Sequence, residues 1–174
     1  LEQELLDNRL DIALIEGIVH SQHLVCEEYM EDSLVTVCGA NGVFRPGEKV
    51  SIERFRSQKF LLREKGSGTR EEFDSAARLA GFSVEPLWES TSTSALVNAA
   101  IHGLGIAVLP RRMILEPLEK GLIVQFEVEG IDLRRRFMIV HHKNKYLSAS
   151  AQNFIDLCRN YELDYPIPNH RRLR

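Results

Sequence analysis

Short apolar runs that stop at glycine or proline alternate along this chain with segments whose apolar residues recur every three or four positions. The first kind reads as buried strand and the second as amphipathic helix. Residues 10–15 form such a run and end at Glu16-Gly17. Two more strand-like runs follow at residues 23–30 and 33–38, and Ser51 caps a short helix through Phe55. Residues 59–63 are the next strand, broken by Gly66-Ser67-Gly68. A helix then runs from about Thr69 to Ala80, with Phe73, Ala76, Ala77 and Ala80 on one face and Gly81 at its end. Residues 84–89 are a strand, Ser90 to Ser94 lead into a helix through Ile101, and residues 106–109 are a strand stopped by Pro110. Residues 111–120 form a helical or irregular connection broken by Pro117. Strands at 122–126 and 136–141 precede a last helix over 148–162, whose stripe is Leu147, Ala151, Phe154, Ile155, Cys158 and Tyr161.

Strand–helix alternation implies an α/β fold with a mainly parallel sheet and right-handed crossovers. In such sheets ligands sit beyond the carboxyl ends of strands, facing helix N-termini. Here that rule points at residues 66–70 and 90–94. At 174 residues, 44% of them apolar, the chain can bury a core without a metal or disulfide staple. Its 22 basic and 25 acidic residues leave a net charge of −3, the wrong sign for a stand-alone nucleic-acid binder. The basic tail His170-Arg171-Arg172-Leu173-Arg174 reads as a solvated terminus. Three cysteines, Cys26, Cys38 and Cys158, have no CxxC spacing and read as buried thiols in a reducing compartment. No apolar run reaches the ~18–20 residues that span a bilayer. The opening Leu1-Glu2-Gln3-Glu4-Leu5-Leu6 reads as a helix already under way, hence an expectation that the chain is a fragment.

Residues 63–70, Arg-Glu-Lys-Gly-Ser-Gly-Thr-Arg, carry the sharpest chemical signal. Two glycines allow a tight turn and a close approach, and Ser67 and Thr69 offer hydroxyls. The free N–H groups of the next helix and the positive end of its dipole complete an anion cradle. A capping box with Thr69 as N-cap and Glu72 three residues later accounts for part of the same pattern. The hydroxyl run at 90–94 admits the same two readings, cap or pocket wall. His20 with His23, and His141-His142, have no evident third metal ligand. No GxSxG, HExxH, P-loop or GxGxxG occurs, and no carboxylate pair is placed by motif for acid–base work, so the chain reads as a binding module and not an enzyme.

Four stretches, in order, resemble the effector-binding domain of LysR-type transcription regulators. They are residues 5–14, residues 63–70, residues 92–97 leading into Gly103-Leu104-Gly105 and 106–110, and residues 137–143 with Leu147-Ser148 and Phe154-Ile155. The resemblance implies two Rossmann-like lobes joined by two crossover segments, the type 2 periplasmic-binding-protein arrangement. It places lobe I at 1–59 plus 141–174, with its N-terminal part missing, and lobe II at 60–140, with crossovers at 59–63 and 137–141. It implies a small, anionic effector in the interlobe cleft, contacted by Ser67, Gly68, Thr69, Thr91 and Ser92 from lobe II and by Glu16 and Gly17 from lobe I. It further implies a cytoplasmic homodimer or tetramer that needs no cofactor or metal. Such a protein touches DNA only through a helix-turn-helix absent from this chain. A secreted solute-binding protein of the same fold is the alternative, and an enzyme built on such lobes, such as an aromatic-pathway dehydratase, is a third reading.

Overall fold

The computed structural model describes residues 1–16 and 19–161. In chain order the elements are α1 (Glu2–Leu6), β1 (Ala13–Glu16), β2 (Leu24–Gly39), β3 (Lys49–Val50), α2 (Ile52–Arg56), β4 (Phe60–Arg63), α3 (Gly68–Leu79), β5 (Pro86–Ser90), α4 (Thr93–Ile101), β6 (Ile106–Pro110), α5 (Leu115–Glu119), β7 (Ile123–Val128), β8 (Arg134–His142) and α6 (Ala149–Arg159). A 3-10 turn, Arg111–Ile114, joins β6 to α5. The mixed α/β architecture is the one the alternation implied.

The chain forms two compact units. Unit 1 takes Leu1–Ile15, Val19–Tyr29 and the chain from Met138 onward; unit 2 takes Glu16–Ile18 and Met30–Phe137. Strands β2 and β8 have residues in both.

Unit 2 has the strand order β5-β4-β6-β2, with β7 also on β2 and β3 on β7. β4 runs parallel to β5 and β6, while β2 is antiparallel to β6 and β7. The period-two alternation of a pleated strand decides the layering. Phe60 and Leu62 of β4, Ile106 and Val108 of β6, and Leu34 and Cys38 of β2 face one cluster, completed by Phe55 and Phe73. Leu61, Ala107, Leu109, Val35 and Val37 face the other, under Leu96 and Ala100 of α4. Both faces of the sheet are therefore covered, as near-continuous apolar strands require. Phe55 is the hub of the first cluster, edge-on to Phe60 at 5.0 Å, Phe82 at 6.1 Å, and Phe73 and Phe126 at 6.2 Å. Helix α3 follows β4 on the first face, and the turn after β6 sends Ile114 to the second. Adjacent strands β4 and β6 thus feed connections to opposite faces, which opens a crevice beyond their carboxyl ends.

Unit 1 is built on a thinner plan. β8 lies between β1 and β2. Val140 packs with Leu5, Ala13 and Leu24 on one side, and Ile139 packs with Ile155 and Cys158 on the other.

Several sequence expectations change. The two runs at 23–30 and 33–38 are one strand of 16 residues. Asp32, between the two runs, is buried and ion-paired inside the strand. Residues 30–59 cluster with unit 2, because Leu34, Phe44 and Phe55 share the core of Phe60. Residues 59–63, read both as a strand and as a crossover, hold the strand β4, which lies between β5 and β6. The N-cap of α3 is Ser67, not Thr69, with the Arg70 N–H donating to its hydroxyl. Pro117 does not break α5; it sits in the first turn, where its missing N–H has no intrahelical partner to lose. Helix α6 ends at Arg159, with Phe154 and Tyr161 exposed. Cys38 and Cys158 are buried, but Cys26 is exposed. The basic tail at 170–174 lies outside the described residues. Among the described residues no helix is long and apolar enough to cross a membrane.

Candidate functional site

The crevice at the ends of β4 and β6 contains a cavity of about 390 Å³. Three chain segments make its floor: Arg63 at the end of β4, residues Ser67, Gly68 and Thr69 opening α3, and Pro110, Arg112 and Met113 after β6. Glu16, Met30, Asp32, Arg135 and Phe137 close its sides. Every one of these residues belongs to unit 2.

Helix α3 presents its N-terminus to this space. Ser67 caps the Arg70 N–H at 3.1 Å. Thr69 is only 7% exposed, and its hydroxyl makes no hydrogen bond among the described residues. The first turn is held in place by Arg70, itself buried. Its guanidinium spans Asp74 at 2.9 Å, Glu89 at 2.6 Å and the Arg63 carbonyl at 3.2 Å, fixing α3 to the ends of β4 and β5.

A chain of charges lines the opposite wall. Arg135 donates twice to Asp32, from Nε at 2.9 Å and Nη2 at 2.6 Å, and once from Nη1 to Glu16. Both members of the Arg135–Asp32 pair are at least 95% buried. Arg112 approaches Asp32 at 3.4 Å and donates to the Glu31 carbonyl at 2.9 Å, yet its buried Nε has no hydrogen-bond partner. Arg63 is held by its neighbour Glu64 at 2.8 Å and 3.0 Å and reaches the Thr93 hydroxyl at 3.5 Å. That guanidinium holds the Glu64 carboxyl below the usual carboxylate range. The Glu72 carboxyl is instead pushed up, by burial and then by the charge of Glu16, with Arg135 opposing. The arrangement suits a small polar ligand: helix N–H groups and an unpartnered hydroxyl on one side, guanidiniums on the other, and Met30, Met113 and Phe137 as apolar walls.

Of the site residues read from sequence, Ser67, Gly68, Thr69 and Glu16 meet in this cavity. Gly17 lies outside the described residues. Thr91 and Ser92 do not line it. Thr91 is exposed, and Ser92 caps α4 by accepting from Ala95 N–H at 3.3 Å. The residue of that run nearest the cavity is Thr93, buried against Arg63. Sequence reading missed Asp32, Arg63, Arg112 and Arg135. Strand parity carries a signal for two of them. Asp32 shares the inward phase of Leu34 and Cys38, and Arg135 shares that of Ile139. The histidines lie elsewhere: His20 rests on Glu2, and the rings of His23 and His142 stack at 6.4 Å. Among the described residues no group of three His, Cys, Asp or Glu side chains is placed to hold a metal.

A family model described as the LysR substrate binding domain matches residues 1–162. The HTH-type transcriptional regulator YeiE of Escherichia coli K12 is 35% identical over 156 residues, covering 90% of this chain and 53% of the relative. The HTH-type transcriptional activator CmpR of Synechocystis is 33% identical over 157 residues, covering 88% and 51%. The chain thus spans about half the length of the curated relatives it matches. Among solved structures, the Synechocystis CcmR regulatory domain in complex with 2-PG aligns with a TM-score of 0.78 at 21% identity, covering 90% of this chain and 76% of that one. The effector-binding domain of QuiR in complex with shikimate aligns with a TM-score of 0.70 at 17% identity, covering 90% and 73%. These likenesses show the fold, the periplasmic-binding-protein type of α/β domain.

Proposed function

The chain belongs to the LysR family and carries its substrate-binding domain, and from that premise we propose that it senses a small anionic effector in the cavity at the ends of β4 and β6. The observation that carries this reading is the Nε–H of Arg112, buried at the cavity with no hydrogen-bond partner, across from the N-terminus of α3 where Thr69 lines the same space. A buried polar group left unpaired costs about 1–3 kcal/mol, a cost that a bound ligand removes. The helix N-terminus favours negative charge, and Arg112 adds a guanidinium with an unused buried Nε–H. Two structural neighbours hold small ligands, 2-PG in one and shikimate in the other.

Sensing works here by population shift. A ligand moves the balance between two arrangements only by its differential affinity for them. In the full-length regulator that shift is passed to a DNA-binding segment outside these residues, in a cytoplasmic dimer or tetramer. The domain binds and does not catalyse. A thermal-shift screen of small carboxylates and oxyanions finds the effector, since a ligand at a hundred times its Kd stabilises by ~2.7 kcal/mol. With that ligand, calorimetry is expected to show Thr69→Ala binding weaker by ~1–3 kcal/mol. Thr91→Ala is expected to be silent. Unchanged affinity in Thr69→Ala sinks the site assignment.

A further inference from the structure

Gly68 is the first residue of α3, and its backbone has no positive φ, so conformation alone does not require a glycine there. Space does. A Cβ at this position would stand 3.3 Å from Cδ of Glu16 and 3.4 Å from each of its carboxylate oxygens. The first distance is tighter than most Cβ contacts, so the end of the Glu16 side chain would have to give by a few tenths of an ångström. The glycine therefore admits a carboxylate of the protein's own to the mouth of its anion cradle, and Arg135 holds that carboxylate in place.

The charges around the cavity balance with Glu16 in place. Arg63, Arg112 and Arg135 are matched by Glu64, Asp32 and Glu16. What remains to attract an anion is the partial positive charge of the α3 N-terminus, roughly half an elementary charge, and the unpaired Nε–H of Arg112. The carboxyl of Glu72, a turn further along α3, is pushed up by burial and then by the charge of Glu16. We propose that Glu16, admitted by Gly68 and clamped by Arg135, sets the ligand's charge: the cavity accepts an anion with one negative charge and opposes a second. The inference rests on the effector reading above and deepens it by naming the ligand class.

Methanesulfonate and sulfate test it, because they share sulfonyl oxygens and differ by one charge. Calorimetry near neutral pH on the wild-type protein is expected to show tighter binding of methanesulfonate. In Glu16→Gln the affinity ratio is expected to move toward sulfate by about tenfold, as removal of one nearby unit charge at intermediate dielectric requires. Gly68→Ala, which pushes the carboxylate outward without removing its charge, is expected to move the ratio the same way by less. Thermal unfolding checks that each variant is folded. A wild-type preference for sulfate, or a ratio unchanged in Glu16→Gln, overturns the role of Glu16 while leaving the site standing. Absence of binding by both anions in all three proteins overturns the anion site and this inference together.

Discussion

Unit 2 and unit 1 draw on the same two long strands and spend them differently. In unit 2, β2 lies within a sheet covered on both faces, with Phe55 and its aromatic neighbours on one side and α4 on the other. In unit 1, β2 and β8 support smaller clusters built from leucine, isoleucine, valine, alanine and cysteine. The ion pairs differ in the same sense. Arg159 and Glu27 of unit 1 meet at 2.6 Å with about 40% of each side chain exposed. Arg135 and Asp32 of unit 2 meet at the same 2.6 Å with under 5% exposed. Equal distances therefore carry unequal consequences. A solvated pair gains little over its interactions with water, whereas a buried pair is costly to break, because the surviving charge is stranded. Where the chain must hold a polar cavity open, it uses the second kind.

Mutations break or sharpen this contrast in graded steps. Phe55→Ala is expected to cost about 4 kcal/mol in urea unfolding, the upper range for a large aromatic lost from a packed core. Ile155→Ala in unit 1 is expected to cost about 2 kcal/mol, since Ile155 packs in a smaller cluster with more surface nearby to relax. Equal costs would remove the distinction between the two cores. Arg135→Ala is expected to cost about 3 kcal/mol by leaving Asp32 buried without its partner, while Arg159→Ala stays within about 0.5 kcal/mol. A mild Arg135→Ala would mean that water reaches Asp32 and that the pair counts as solvated.

The smallest effect is a pH dependence. Glu72 has a folded pKa above its unfolded value. Between those two values the native state binds more protons than the unfolded one, so stability falls as pH rises through the window, and the loss is complete above it. Glu72→Gln is therefore expected to raise Tm slightly at neutral pH and to leave it unchanged near pH 3, where the carboxyl is protonated in both states. A gain of the same size at both pH values would assign the effect to packing instead of charge.

Much of unit 2 was legible in the sequence because local signals and burial agree there. The run at 60–63, the glycine break, and the spacing of Phe73 and Ala77 each point to the element that forms. The cradle at Ser67, Gly68 and Thr69 was legible for the same reason, though its cap was assigned two residues late. A hydroxyl before a helix does not reveal which residue first turns helical. The charged wall was not legible. Strand parity hints at Asp32 and Arg135, but by residue type they and Arg112 resemble the other charges of a chain that is 27% charged. Their partners come from the sheet order, which no local pattern encodes. The run at 90–94 misled for a related reason: five similar small residues conceal that Thr93, and not Thr91 or Ser92, turns toward Arg63.

The bond from Arg135 to Asp32 joins residues 103 positions apart, and the bond to Glu16 joins residues 119 apart. Contacts of such long range form late in folding, because the intervening chain must first be ordered. During synthesis, Asp32 leaves the ribosome several seconds before the arginine that will neutralise it, at translation speeds of about 5–20 residues per second. Throughout that interval the acidic strand has a reason to stay in water. The wall of the ligand cavity can therefore be completed only once nearly the whole of unit 2 has been made.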